Sequence, residues 1–184
     1  MKALILNALG RGMPEYGIFE ILVCELQKYA IVIDTLHLQE VEIQPCRHCY
    51  QCWTKTPGLC VIDDMGREIA KGMLQTEMTI IVSKTICGEI QQIVKHAFGR
   101  TIPNFSAPKI RNQYFDLVAI GIAEQDDAMF EEQYQENVHR LGIDFHCLNT
   151  TAGIVTIEEG QQLQKQKVET FIAKAGSVAA LSIR

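Results

Sequence analysis

Apolar residues along the chain gather in short runs, and the stretches between them repeat at helical spacing, which is the rhythm of a parallel sheet covered on both faces. Residues 2–9 (KALILNAL) predict a first strand, and 16–30 predict a helix with Ile18, Ile21, Leu22, Leu26 and Tyr29 on one face. A second strand over 31–38 runs through Gln39–Pro45 into a loop that holds four cysteines and closes at Cys60. Asp63 or Asp64 is placed to cap a helix reaching about Gln75, and the β-branched run 78–85 (MTIIVSKT) reads as a buried strand. Residues 88–99 suit a short helix, the stretch around Pro103 and Pro108 a loop, and 115–122 (FDLVAIGI) a fourth strand. A helix from about Asp127 to Leu141, a strand over 144–150 and a closing helix over about 158–175 complete the pattern.

Five strands with interleaved helices and right-handed crossovers predict an α/β, doubly wound parallel sheet of order 2-1-3-4-5, helices on both faces. In such sheets ligands lie at the carboxyl ends of the strands, so the loops that matter are 8–16, 39–60, 84–90 and 122–128.

Length and composition narrow this little. A chain of 184 residues, 47% hydrophobic and 21% charged, is expected to bury its core as a single domain, with the cysteine loop as an insertion over 39–62. A net charge of -5 with scattered lysines and arginines excludes a general attraction for nucleic acid. The N-terminus reads as a buried strand rather than a signal peptide, and no window approaches the roughly 18 apolar residues of a membrane span. The expectation is a soluble protein with no membrane partner.

Cysteine usage changes the picture more. Of seven cysteines, Cys46, Cys49, Cys52 and Cys60 fall close together, while Cys24, Cys87 and Cys147 stand in apolar surroundings. That spacing is not a secreted disulfide framework and predicts a reducing, cytoplasmic compartment. The motif C-x2-C-x2-C-x7-C lets three thiolates wrap one side of a [4Fe-4S] cluster while a fourth arrives from further on. Structural zinc usually joins two knuckles a dozen or more residues apart, but zinc, an empty thiol site and redox disulfide chemistry stay open. Pro57 and Gly58 are placed to fold the spacer back. Tyr50 and Trp53 are candidates to shield a cluster or meet an electron carrier, or else packing aromatics. His48, His96, His139, Asp126 and Asp127 have ordinary explanations as surface or capping residues. There is no nucleophile elbow, P-loop, HExxH or strand-linked GxGxxG motif.

The segment resembles the iron-sulfur flavoproteins and the wider NADPH-dependent FMN reductase group of flavodoxin-like proteins. Pro45, Cys46, Cys49, Cys52, Pro57, Gly58, Cys60, Asp63, Asp64 and Met65 carry the likeness, and Gly88, Lys95, Arg100, Pro103 and Phe105 extend it. The resemblance implies a flavodoxin-like fold, a cluster on the cysteine loop, FMN at the strand ends, NADPH as a possible electron donor, and homodimers or homotetramers. By position in that fold, Asn7, Leu9, Gly10, Arg11 and Gly12 would meet the FMN phosphate. Lys84, Thr85, Ile86, Cys87 and Gly88, with Ala123, Glu124 and Gln125, would meet the ring.

Two features depart from the family. The first loop, NALGRGMPEYG, contains no hydroxyl residue, the first Ser or Thr of the chain being Thr35, and Glu15 would repel a phosphate. The loop after the third strand lacks an aromatic. Two functions are therefore expected in competition. One is an FMN-dependent oxidoreductase exchanging electrons with the cluster, a pyridine nucleotide, or a small-molecule or protein acceptor; the other is a non-enzymatic protein with a decayed flavin site and a structural zinc or cluster loop.

Overall fold

The computed structural model describes residues 1–106, 115–125, 127–145 and 147–175. The chain runs β1 (Lys2–Asn7), α1 (Tyr16–Lys28), β2 (Val32–His37), α2 (Gln51–Thr54), α3 (Met65–Leu74), β3 (Met78–Ile86), β4 (Glu89–Ile90), α4 (Gln92–Gly99), β5 (Asp116–Ala123), α5 (Ala128–Asp144), β6 (Thr150–Thr156) and α6 (Gln161–Lys174). Single 3-10 turns occupy Leu38–Glu40 and Ile102–Ser106.

Five strands pair in parallel in the order β2-β1-β3-β5-β6, and β4 adds a short antiparallel pairing to β3. The sheet of described residues thus has six strands where the sequence pattern predicts five. Along β1 alternate side chains serve opposite faces, as the period of two requires. Ala3 and Ile5 join Ile18, Leu22 and Leu26 of α1 and Val168, Phe171 and Ile172 of α6. Leu4 and Leu6 join Ile69 and Met73 of α3, Val94 and Phe98 of α4, and Tyr134 and Val138 of α5. β3 and β5, buried almost end to end, lie between the two layers.

The expected strand over 144–150 is a correction. α5 continues to Asp144, and the chain then turns, with Cys147 N-H donating to Gly142 and Leu148 N-H to Phe115. Pairing with β5 starts at Thr150, opposite Leu117, and runs to Thr156, opposite Ala123. The β-branched residues of TTAGIVT, not the mixed DFHCLNT segment, suit that half-buried edge. Asp64 and Asp127 cap α3 and α5 through bonds from the amides of Gly66 and Met129, each 2.9 Å long. Pro108 and Asp126 lie outside the described residues.

Candidate functional site

Two places at the carboxyl ends of the strands carry the candidate chemistry. The first is the cysteine loop, which leaves β2 through the 3-10 turn and an extended run to Pro45. His48 (φ 50°) and Tyr50 (φ 55°) are both left-handed, so the backbone curls past Cys46 and Cys49 before α2, which carries Cys52, begins. Gly58 (φ 85°) turns the chain back and donates its N-H to the carbonyl of Cys52 at 3.2 Å, the reversal expected of the Pro57-Gly58 step. Cys46, Cys49, Cys52 and Cys60 line one small cavity, of about 30 Å³, walled by Ile62 and Ile102.

The thiols sense one another. Burial pushes the Cys52 thiol up, and negative charge on Cys60, Cys46 and Cys49 pushes it further. The N-H of His48 donates to Cys46 Sγ at 3.4 Å and fixes that sulfur against the turn. Yet among the described residues no three His, Cys, Asp or Glu side chains are grouped closely enough to hold a single metal ion. Tyr50 and Trp53 do not pack into the core: both are exposed, and they meet each other edge-on at a centroid distance of 5.9 Å.

Both ends of this loop are tied to one buried side chain. Arg100, at the end of α4, is completely buried. Its Nη1 donates to the Gln44 carbonyl at 2.9 Å and to Asp64 Oδ2 at 2.7 Å, and its Nη2 donates to the Ile62 carbonyl at 2.9 Å. Asp64 Oδ2 also accepts from the Gln44 N-H at 2.8 Å. Burial alone would raise the Asp64 carboxyl, but the bonds from Arg100, Gln44 and Gly66 outweigh it and hold the carboxyl below its usual range. Burial likewise opposes the charge on Arg100, and Asp64 and the neighbouring Cys60 more than offset it. Gly66 makes room, because a Cβ there would lie 2.9 Å from Arg100. Arg100 marks the family resemblance in the sequence, but nothing in the sequence shows it reaching Gln44.

The second place is the crevice where the resemblance puts a flavin. Here the named residues are largely engaged with the protein itself. Asn7 is buried, its Oδ1 accepts from Leu9 N-H at 2.9 Å, and its Nδ2 lies 3.2 Å from His37 Nδ1. His37 in turn packs against Tyr16 and Phe19, an aromatic group that sequence reading missed. Arg11 pairs with Glu40 at 2.5 Å, and Leu9 is in the core. Gly10 and Gly12 leave the backbone of this loop accessible, Gly12 with φ 79°.

The expected ring loop after β3 is a tight hairpin. Cys87 (φ 51°) and Gly88 (φ 75°) form its two-residue turn, and Thr85 and Ile86 pair with Ile90 and Glu89. Thr85 donates to the Glu89 carbonyl, and Gly88 packs so tightly on α5 that a Cβ would sit 2.7 Å from the Phe130 carbonyl oxygen. Ile86 and Cys87 are exposed, as is Cys24, which corrects the expected apolar surroundings for these two cysteines. Cys147 does fit that expectation, and burial pushes its thiol up to about 12. Ala123 is buried at the end of β5, while Glu124 and Gln125 stand exposed beyond it.

One contact joins the first loop to the third. Glu15 precedes the first turn of α1, is buried, and holds Lys84 Nζ at 2.5 Å with Oε1. The hydrogen bond from Lys84, joined by one from its own backbone N-H, keeps its carboxyl below the usual range despite burial. Its Oε2 is buried with no hydrogen-bond partner. Glu15 and Lys84 thus neutralise each other beside the N-terminus of α1, and the donors this loop keeps for an anion are backbone groups around Gly10 and Gly12 rather than hydroxyls.

By sequence, no family model and no curated protein matches the chain. Solved structures are similar in fold. An NAD(P)H:quinone oxidoreductase from Methanothermobacter marburgensis shares 11% identity over 92% of this chain and 96% of its own, with a TM-score of 0.69. RosB, solved with a bound riboflavin-5'-phosphate-type intermediate, gives a TM-score of 0.70 at 11% identity, over 100% of this chain and 79% of its own. An FMN-dependent NADH-azoreductase from Bacillus anthracis in complex with FMN gives 0.66 at 10% identity, over 99% of this chain and 98% of its own. The fold is therefore flavodoxin-like, as the resemblance implied, and among the described residues no helix is long and apolar enough to cross a membrane.

Proposed function

We propose that the chain is an oxidoreductase of the flavin-dependent NAD(P)H class, in which Cys46, Cys49, Cys52 and Cys60 hold a [4Fe-4S] cluster beside a flavin-binding crevice. The observation that carries this reading is the convergence of four thiols on one cavity, on a fold shared along nearly its whole length with flavin enzymes. The donor set suits the cluster better than zinc. A zinc ion needs its thiolates gathered at about 2.3 Å from a single centre, whereas a cubane takes four thiolates spread around its corners. When bound, a flavin supplies hydride acceptance from a reduced pyridine nucleotide and release of electrons to an acceptor.

The chain's own residues orient and tune. Arg100 and Asp64 fix where the loop begins and ends, and the His48 N-H donates to the Cys46 sulfur. The exposed Tyr50 and Trp53 offer a contact surface beside the thiols to a protein or small-molecule electron carrier. A homodimer or homotetramer, as the resemblance implies, would bring cluster and flavin of neighbouring chains together, and four thiols of this kind suit the cytoplasm.

Anaerobic purification followed by iron, sulfide, zinc and flavin determination on one sample tests the reading. About four iron and four sulfide per chain with flavin is expected. Zinc or no metal, together with no flavin, overturns it in favour of a binding protein with a structural loop.

A further inference from the structure

The two rims of the parallel sheet are finished differently. At one rim, β6, the Leu117 N-H donates to Asn149 and the Ile157 N-H to Ala123, so the odd-numbered residues of β6 face β5 and the even-numbered ones face outward. Of the outward groups, the N-H of Ile154 donates to Glu131 Oε1 at 3.5 Å and the N-H of Thr156 to Glu159 Oε2 at 3.4 Å. The Thr156 carbonyl accepts from Gln164 Nε2 at 3.0 Å. Side chains of α5, of the turn after β6 and of α6 thus cover the carboxyl half of this rim, as sheets do to keep an edge from pairing with another chain. The other rim, β2, has no such cover. Val32 N-H donates to Met1, which turns the backbone of Val32, Asp34 and Leu36 toward β1 and leaves that of Ile33, Thr35 and His37 facing outward. Among the described residues, the N-H and C=O groups of Ile33 and Thr35 have no hydrogen-bond partner. The strand, VIDTLH, contains no proline or lysine, and it begins at Val32, which is 62% exposed. Its acidic side chain, Asp34, is neutralised by Lys2 at 2.6 Å. A β-branched edge with neither proline nor unpaired charge is a template for one more strand.

We propose that the β2 rim is a dimerisation edge whose occupant is β2 of a second copy, running antiparallel about a two-fold axis at Thr35. The register follows from the strand itself. Thr35 is the outward-facing residue nearest its middle, so an axis there gives the longest overlap and lets Thr35 and its counterpart exchange a pair of N-H to C=O bonds. Ile33 then lies opposite His37 of the second copy and Asp34 opposite Leu36, so the charged residue never meets itself. The exposed Val32 comes diagonally beside Leu36 of the second copy, on the same face of the sheet. A two-fold contact requires this kind of self-complementarity, because one patch serves both copies. The sheet becomes continuous across the pair, with the helix layers of the two copies in line. This contact needs neither flavin nor cluster. Because the paired strands are antiparallel, the two cysteine loops leave β2 at opposite ends of the seam. The edge is therefore separate from the contact that would bring cluster and flavin of neighbouring chains together, and the two contacts combined build a homotetramer.

Sedimentation equilibrium of the full chain over roughly 1–100 µM tests the edge, since the population of a homodimer follows protomer concentration. A reversible dimer or tetramer is expected for the wild type. Thr35→Lys sets two ammonium groups face to face at the axis, and Thr35→Pro removes an outward N-H while leaving the bonds to β1 intact. Each should weaken association at least about tenfold, taking a dimer to monomer or a tetramer to dimer. Ala152→Pro, at an outward N-H of the β6 rim, should leave the mass unchanged. Circular dichroism and thermal melts establish that each variant folds, and Thr35→Lys carries the test where the proline variant does not fold. A wild-type chain that stays monomeric throughout overturns the proposal, as does an oligomer unchanged in folded Thr35→Lys or one dissociated by Ala152→Pro. A polydisperse series that grows with concentration, in place of a closed dimer or tetramer, also overturns it, because the edge would then be pairing without a two-fold register.

Discussion

The cysteine loop and the strand-end crevice use charge in opposite ways. Around the loop, a buried ion pair works on the backbone: Arg100 and Asp64 bind the carbonyls and amide at residues 44 and 62, and the four thiols are left facing a cavity. At the crevice, charged side chains satisfy one another, Lys84 on Glu15 and Arg11 on Glu40, and few side-chain donors remain unpaired. A binding site keeps its ligating groups unspent while a supporting network holds them. By that measure the thiols of the loop are left unspent, while the charged side chains of the crevice are spent on one another.

Removing the support should have the largest effect. Arg100→Met leaves Asp64 uncompensated and two backbone carbonyls, those of Gln44 and Ile62, without their partner, so a loss of about 3–5 kcal/mol is expected in urea unfolding. The four thiols should become alkylated faster as the loop loosens. An alkylation rate equal to the wild type in a folded variant would separate the thiols from the clamp.

A smaller effect is expected at the crevice, and it depends on pH. Because Lys84 holds the Glu15 carboxyl below its usual range, Glu15 stabilises the fold fully above the ordinary carboxylate pKa of about 4.3. That contribution is lost as pH falls through the lowered folded-state value. Glu15→Gln should therefore lose less stability than the wild type between neutral and acid pH, by about 1–2 kcal/mol. Parallel pH profiles would mean that the bridge contributes no net stability.

The smallest effect has the opposite sign. Cys87 occupies a left-handed position followed by Gly88, where an Asn-Gly pair is preferred. Cys87→Asn should stabilise by about 0.5 kcal/mol in the same assay. A destabilisation instead would show that the Cys87 side chain makes contacts that its exposure does not suggest.

Much of the fold was legible in the sequence because period and β-branching mark it locally. The buried runs of β1, β3 and β5, the apolar face of α1 and the Asp64 and Asp127 caps all follow from neighbours a few residues apart. The misplaced last strand shows the limit. DFHCLNT and TTAGIVT are both plausible strands alone, and pairing with β5, a long-range event, selects the second. The two-residue β4 hairpin was too short to leave a period. In the site, the cysteine motif was plain from spacing, whereas the Arg100 clamp spans 56 residues to Gln44 and left only the smallness of Gly66 as a trace. Glu15 was legible as a repelling charge, but not as one seated on Lys84.

That clamp also orders events in the life of the chain. Both mouths of the loop close on a guanidinium that follows them in sequence, by 36 residues in the case of Asp64. A nascent chain interrupted before Arg100 has all four thiols and no fixed cradle, since closing contacts across such separations waits for the intervening strand and helix to form. Assembly of any inorganic group on these cysteines thus belongs after β3 and α4 are in place. For the cluster proposed above, maturation would then be a step performed on a folded protein rather than the nucleus around which it folds.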